Sequence, residues 1–134
     1  MYYPSVVEVN EVKNNFPSVE VKAIPLYVFS DVEWTQRNDC KDLIFVGGFN
    51  HLPNVDGLNW FCREIFPTIV QSIPSIKLHV VGSHMPEGVK QLACDNVVIH
   101  GFLSDEKLNK LYELVRMSVI PLRFGAGVKG KVLE

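Results

Sequence analysis

Four short apolar runs, separated by stretches of helical periodicity, constrain this chain more than any other feature. They are Asp42-Leu43-Ile44-Phe45-Val46-Gly47, Ile76-Lys77-Leu78-His79-Val80-Val81-Gly82, Asn96-Val97-Val98-Ile99-His100-Gly101 and Met117-Ser118-Val119-Ile120-Pro121-Leu122. Runs this short with little polar alternation read as strands buried on both faces. Their alternation with helices predicts an α/β fold built on a parallel sheet. Three of the runs end in glycine. Those ends are where open parallel sheets bind their ligands.

Between the first two runs, Val55, Leu58, Cys62, Ile65 and Ile69 recur at three- and four-residue steps. That spacing predicts a helix with one apolar face. Asn54 is placed to cap it, with Asp56 in its first turn. Pro67 falls inside the pattern and should kink or restart the helix. Pro86 to Ala93 suits a short helix. Ser104 is a good N-cap for another, whose buried stripe would be Leu108, Leu111, Tyr112 and Val115. The first forty residues differ. Pro4 to Asn14 reads as a weak helix, Val19 to Pro25 as an alternating strand, and Phe29 to Lys41 as a polar linker.

Composition narrows the function classes. A chain of 134 residues with 47% hydrophobic and 21% charged residues is globular, with a core of its own. A net charge of −2 gives no basic field for nucleic acid. No apolar run approaches the roughly 20 residues that span a bilayer, and MYYPSVVEVNEV has no signal-peptide form. Cys40, Cys62 and Cys94 are an odd number without CxxC spacing. They read as free thiols, and neither His84 nor His100 stands at metal-ligand spacing from them. No metal or cofactor is expected, and the cytoplasm is the expected address.

The stretch RFGAGVKGKVLE, Arg123 to Glu134, carries two overlapping phosphate signatures. Gly125-x-Gly127-x-x-Gly130 fits a dinucleotide fingerprint, but it follows the fourth strand, and no acidic residue lies about 20 positions on. Gly125-x-x-x-x-Gly130-Lys131 fits a Walker A loop, but Val132 cannot hold magnesium as Ser or Thr would. What the two share is a strand feeding a glycine loop and a helix N-terminus, a natural anion site. Arg123, Lys129 and Lys131 add positive charge. Lys131 and Glu134 share a helix face, pairing a cation for phosphate with a carboxylate for sugar hydroxyls. A plain tight turn with solvated charges fits these residues equally well.

In order and spacing, LIFVGGFNHLPNVDGLNWF, IKLHVVGS, NVVIHGFLSD and LYELVRMSVIPLRFGAGVKGKVLE resemble the C-terminal, donor-binding domain of group 1 glycosyltransferases, the retaining family with the GT-B fold. The resemblance covers about Asp42 to Glu134. It implies a Rossmann-like, three-layer parallel sheet, half of a GT-B fold and incomplete at its C-terminus. Residues 1–41 then read as the tail of an acceptor domain and a linker, and 42–134 as a truncated donor-binding domain.

The implied roles are specific. Gly47 and Gly48 approach the donor, Gly101, Phe102 and Leu103 line the base pocket, and the N–H groups of Gly127, Val128 and Lys129 cradle the diphosphate. Glu134 binds ribose. The family's usual first glutamate is replaced by Ala126, and its basic pair after the first strand by FNHLPN, whose only titratable side chain is His51. Arg123 and Lys131 are expected to supply that charge, and His51 is expected to be a loop or capping residue. Trp60 and Phe61 are expected in the core and at its flank. No catalytic residue is assigned.

The implied activity is hexosyl transfer from a nucleotide-diphosphate sugar to a glycan, lipid or small-molecule acceptor, in polysaccharide biosynthesis. The intact enzyme would reach the acceptor through its N-terminal domain, in the cytoplasm or peripherally at the membrane. This fragment alone is expected to be inactive and open to self-association. The alternatives are a non-catalytic nucleotide-binding module and a related GT-B sugar-nucleotide epimerase.

Overall fold

The computed structural model describes residues 1–24 and 39–125. The chain divides into two compact units. In the first, strand β1 (Tyr2–Tyr3) pairs in parallel with β2 (Lys22–Ala23) across helix α1 (Val6–Asn15). Ser5 caps α1 by accepting a hydrogen bond from the Val7 amide at 3.2 Å. Val9 and Val21 are buried. The weak helix is therefore present, while the expected strand Val19 to Pro25 shortens to two residues among those described.

The second unit carries the sheet. Its strands are β3 (Asp42–Val46), β4 (Leu78–Val81), β5 (Val97–Gly101) and β6 (Val115–Ser118). Among the described residues their order is β5-β4-β3-β6, with every pairing parallel. Helix α2 (Leu52–Trp60), a π-helical turn (Phe61–Ile65), helix α3 (Phe66–Ser72) and helix α4 (Glu87–Lys90) follow β3 and β4. Helix α5 (Asp105–Tyr112) leads to β6. The predicted α/β parallel architecture is the observed one.

Pleating sends alternate residues to two cores. Leu43, Phe45, Leu78 and Val80 face one way and pack with Leu58, Phe61, Phe66 and Val89. Ile44 and Val81 face the other way and pack with Leu111, Leu108 and Leu103. The sheet is thus covered on both faces, which is why its central strands are mostly apolar, with Asp42 and His79 as the polar members. The predicted helical stripe is present, with Leu58 fully buried and Val55, Cys62, Ile65 and Ile69 packed against the first core.

Three details depart from the expectations. The helix begins at Leu52, with His51 at the N-cap position and no side-chain cap bond, so Asn54 is an internal residue rather than the cap. Pro67 restarts the helix as predicted: the π turn widens it so that the Phe66 N–H reaches the Phe61 carbonyl. The fourth strand runs two residues earlier than its apolar stretch. Val115 aligns with Asp42, and Pro121, lacking an N–H, cannot extend the ladder as donor. Tyr112, expected in the buried stripe, is 40% exposed.

Candidate functional site

The strand order makes the chain cross back over the sheet between β5 and β6. The two neighbours β3 and β6 are therefore reached in opposite directions, and their carboxyl ends are where open parallel sheets place a ligand crevice. Gly47 and Gly48 form one lip, and the segment Val119–Phe124 leaves β6 at the other. Glycines permit two close backbone contacts around these lips, one between the ends of β3 and β4 and one between α2 and the segment after β6. A Cβ on Gly82 would stand 1.9 Å from the Gly47 carbonyl oxygen, and one on Gly57 would stand 2.2 Å from that of Pro121. Gly48 has room, its nearest neighbour being the Ser83 Oγ at 3.9 Å.

Helix α2 ties both lips. Asn54, 3% exposed, donates from Nδ2 to the Gly48 carbonyl at 2.7 Å. Asp56 accepts from Arg123 Nε at 2.8 Å and from its Nη2 as well. The Arg123 guanidinium also lies 5.7 Å from the centroid of the Trp60 ring. Hydrogen bonding from Arg123 lowers the Asp56 pKa, and the same bond raises that of Arg123.

A second feature lies beside this crevice. The loops after β4 and β5 enclose a cavity of about 450 Å³ lined by Gly82, Ser83, His84, Met85, Lys90, His100 and Phe102, among others. Its walls turn through left-handed backbone at His84 (φ 57°) and Gly101 (φ 73°). Phe102 is 77% exposed, so its ring is presented to the cavity mouth rather than spent on packing. Leu103, by contrast, is packed against the second core.

Below the cavity, three polar side chains form a row across three strands. His79 Nδ1 lies 2.9 Å from His100 Nε2, and His79 Nε2 lies 3.5 Å from Asp42 Oδ2. The rings stack at 5.1 Å. Burial, and then the neighbouring His79, lower the His100 pKa.

Of the residues expected at the site, Gly47, Gly48, Phe102 and Arg123 gather at the carboxyl end of the sheet. Leu103 joins them only through its backbone, since its side chain is in the core. Ala126, Gly127, Val128, Lys129, Lys131 and Glu134 lie outside the described residues. Trp60 and Phe61 divide as expected, with Phe61 in the core and Trp60 at its flank beneath Arg123. The link between Asp56 and Arg123, 67 positions apart, was not foreseen. No local pattern signals such a pair.

Residues 40–134 match the sequence profile of the family described as glycosyl transferases, group 1. The chain belongs to that family. A relative is the "Uncharacterized 44.6 kDa protein in cps region" of Klebsiella pneumoniae, 28% identical over 101 residues. The match takes in 69% of this chain and 26% of that protein, so the chain spans about a quarter of its relative's length. Among the described residues, no helix is long and apolar enough to cross a membrane.

Proposed function

We propose that residues 42–134 bind the donor of a glycosyltransferase that moves a sugar from a nucleotide-diphosphate sugar to an acceptor. One observation carries this reading. In a chain of this family, the β5-β4-β3-β6 order puts the crevice between the Gly47–Gly48 lip and the segment that runs directly into the glycine-rich stretch. In this reading the diphosphate is held by the N–H groups of Gly127, Val128 and Lys129, as the resemblance to the family implies. Lys131 supplies charge, as does Arg123 through the Nη1 edge that Asp56 does not occupy. Glu134 takes the ribose hydroxyls. The base belongs in the adjoining cavity, where Phe102 offers its ring and the Gly101–Leu103 backbone its polar groups.

Departure of the nucleoside diphosphate builds negative charge on its phosphates. N–H donors and cations fixed in advance stabilise that charge without needing a bound metal. Acceptor binding belongs to another part of the intact enzyme, with residues 1–41 as its tail and linker. The cps context of the relative supports a place in polysaccharide assembly, carried out in the cytoplasm or at the membrane surface.

Calorimetric titration of the full chain with UDP, GDP and ADP tests the reading. One of the three should bind, and Lys131→Ala should weaken it. If none binds at millimolar concentration, the donor-binding assignment falls.

A further inference from the structure

Helix α2 sends side chains to both lips of the crevice within two turns. Asn54 holds the Gly48 carbonyl on one side. On the other, Gly57 lets the Pro121 carbonyl rest on the helix backbone, and Asp56 and Trp60 hold Arg123. The Asp56–Arg123 contact has the form that fixes direction as well as distance, two N–H groups of one fork on one carboxylate. The side chains are 30% and 47% exposed. A pair so open to water adds little to global stability. What it supplies is the placement of Arg123.

We infer that Asp56 is a positioning residue for donor binding: through Arg123 it pins the segment Pro121–Phe124 to α2, where the chain enters its glycine-rich stretch. The inference rests on the donor-binding reading above. In the unbraced state the segment would have to be ordered by the ligand itself, and that ordering would subtract from affinity. With Asp56 in place the ordering is already complete before the nucleotide arrives. Trp60 assists by lying against the guanidinium, 5.7 Å from ring centroid to Cζ, while Asp56 takes up the Nε–Nη2 edge.

The test uses the full chain, wild type and the variants Asp56→Ala, Asp56→Asn and Asp56→Glu. Three quantities are measured: affinity for UDP, GDP and ADP, backbone ¹⁵N order parameters at Leu122, Arg123 and Phe124, and melting temperature. Asp56→Ala and Asp56→Asn should lower those order parameters and weaken the nucleotide that binds by about fivefold, the size expected for one open charged pair. Melting should barely move. Asp56→Glu, which keeps the carboxylate, should recover part of the affinity.

A purely structural role would shift melting and leave affinity alone, and that result overturns the inference. So does tighter binding by Asp56→Asn, which would mean that Asp56 withholds Arg123 from the ligand. If the wild type binds none of the three nucleotides, the donor-binding reading fails and this inference with it. If the wild type binds and Asp56→Ala binds equally, only the inference fails. Asp56→Asn keeps the test decisive should Asp56→Ala not fold.

Discussion

The two halves of the sheet's carboxyl end are built differently. At β3 and β6, backbone meets helix: Gly57 of α2 admits the Pro121 carbonyl, and Asn54 and Asp56 tie the lips to α2. At β4 and β5, the loops stand apart around a cavity, and a large aromatic, Phe102, is left exposed at its edge. The first half spends its side chains on holding geometry, whereas the second leaves an aromatic ring, Phe102, exposed at the cavity edge. A site that must fix a charged group while accepting a planar one has use for both.

The largest effect should come from filling the two closest backbone contacts. Gly82→Ala and Gly57→Ala each drive a Cβ into a backbone oxygen, which cannot swing aside as a side-chain tip would. Each should cost about 2–3 kcal/mol. Gly48→Ala, with its nearest neighbour at 3.9 Å, should stay within about 0.5 kcal/mol of wild type. Denaturant melts of the three variants give the comparison. Equal losses at all three would mean that the Gly57 and Gly82 backbone contacts are not as close as described.

Asn54→Ala comes next. It removes a donor from the Gly48 carbonyl inside a buried site and should cost about 1–2 kcal/mol. The accompanying change should be local, seen as chemical-shift movement at Gly47 to Phe49 and absent from the β5 loop.

Phe102→Ala should do the reverse. Stability should hold within about 0.5 kcal/mol, while affinity for the bound nucleotide should fall by about tenfold, as a lost ring-to-base contact implies. A stability loss without an affinity loss would turn Phe102 into a packing residue.

The smallest effect concerns pH. The folded state holds His100 below its ordinary value of 6.5, through burial and then through His79. The neutral ring is therefore favoured by folding. Its contribution is complete above pH 6.5 and is lost as pH falls towards the lower folded value. Melting temperature should drop between about pH 7.5 and pH 5.5, and His100→Gln should flatten that slope. An unchanged slope would remove His100 from the account.

Much of the fold was legible because strands buried on both faces must be apolar without alternation, and β3 and β4 show this plainly. β6 was placed two residues late because its apolar stretch Val119–Leu122 lies beyond the strand, while Arg116 and Met117 within it are exposed at an edge. Asn54 looked like a cap because it stands near a helix start, and cap chemistry reads the same one turn further in. Its true partner, Gly48, became available only once the loop after β3 folded back on α2.

The sequence by itself determined the α/β class, the glycine-ended strands and the family, since these depend on periodicity and on motifs a few residues long. Only the tertiary structure decided which strands are neighbours, and so where the crevice opens. It also decided that Arg123 meets Asp56 and Trp60. Residues 67 positions apart come together through the crossover of the whole sheet, and their local sequence carries no trace of that meeting.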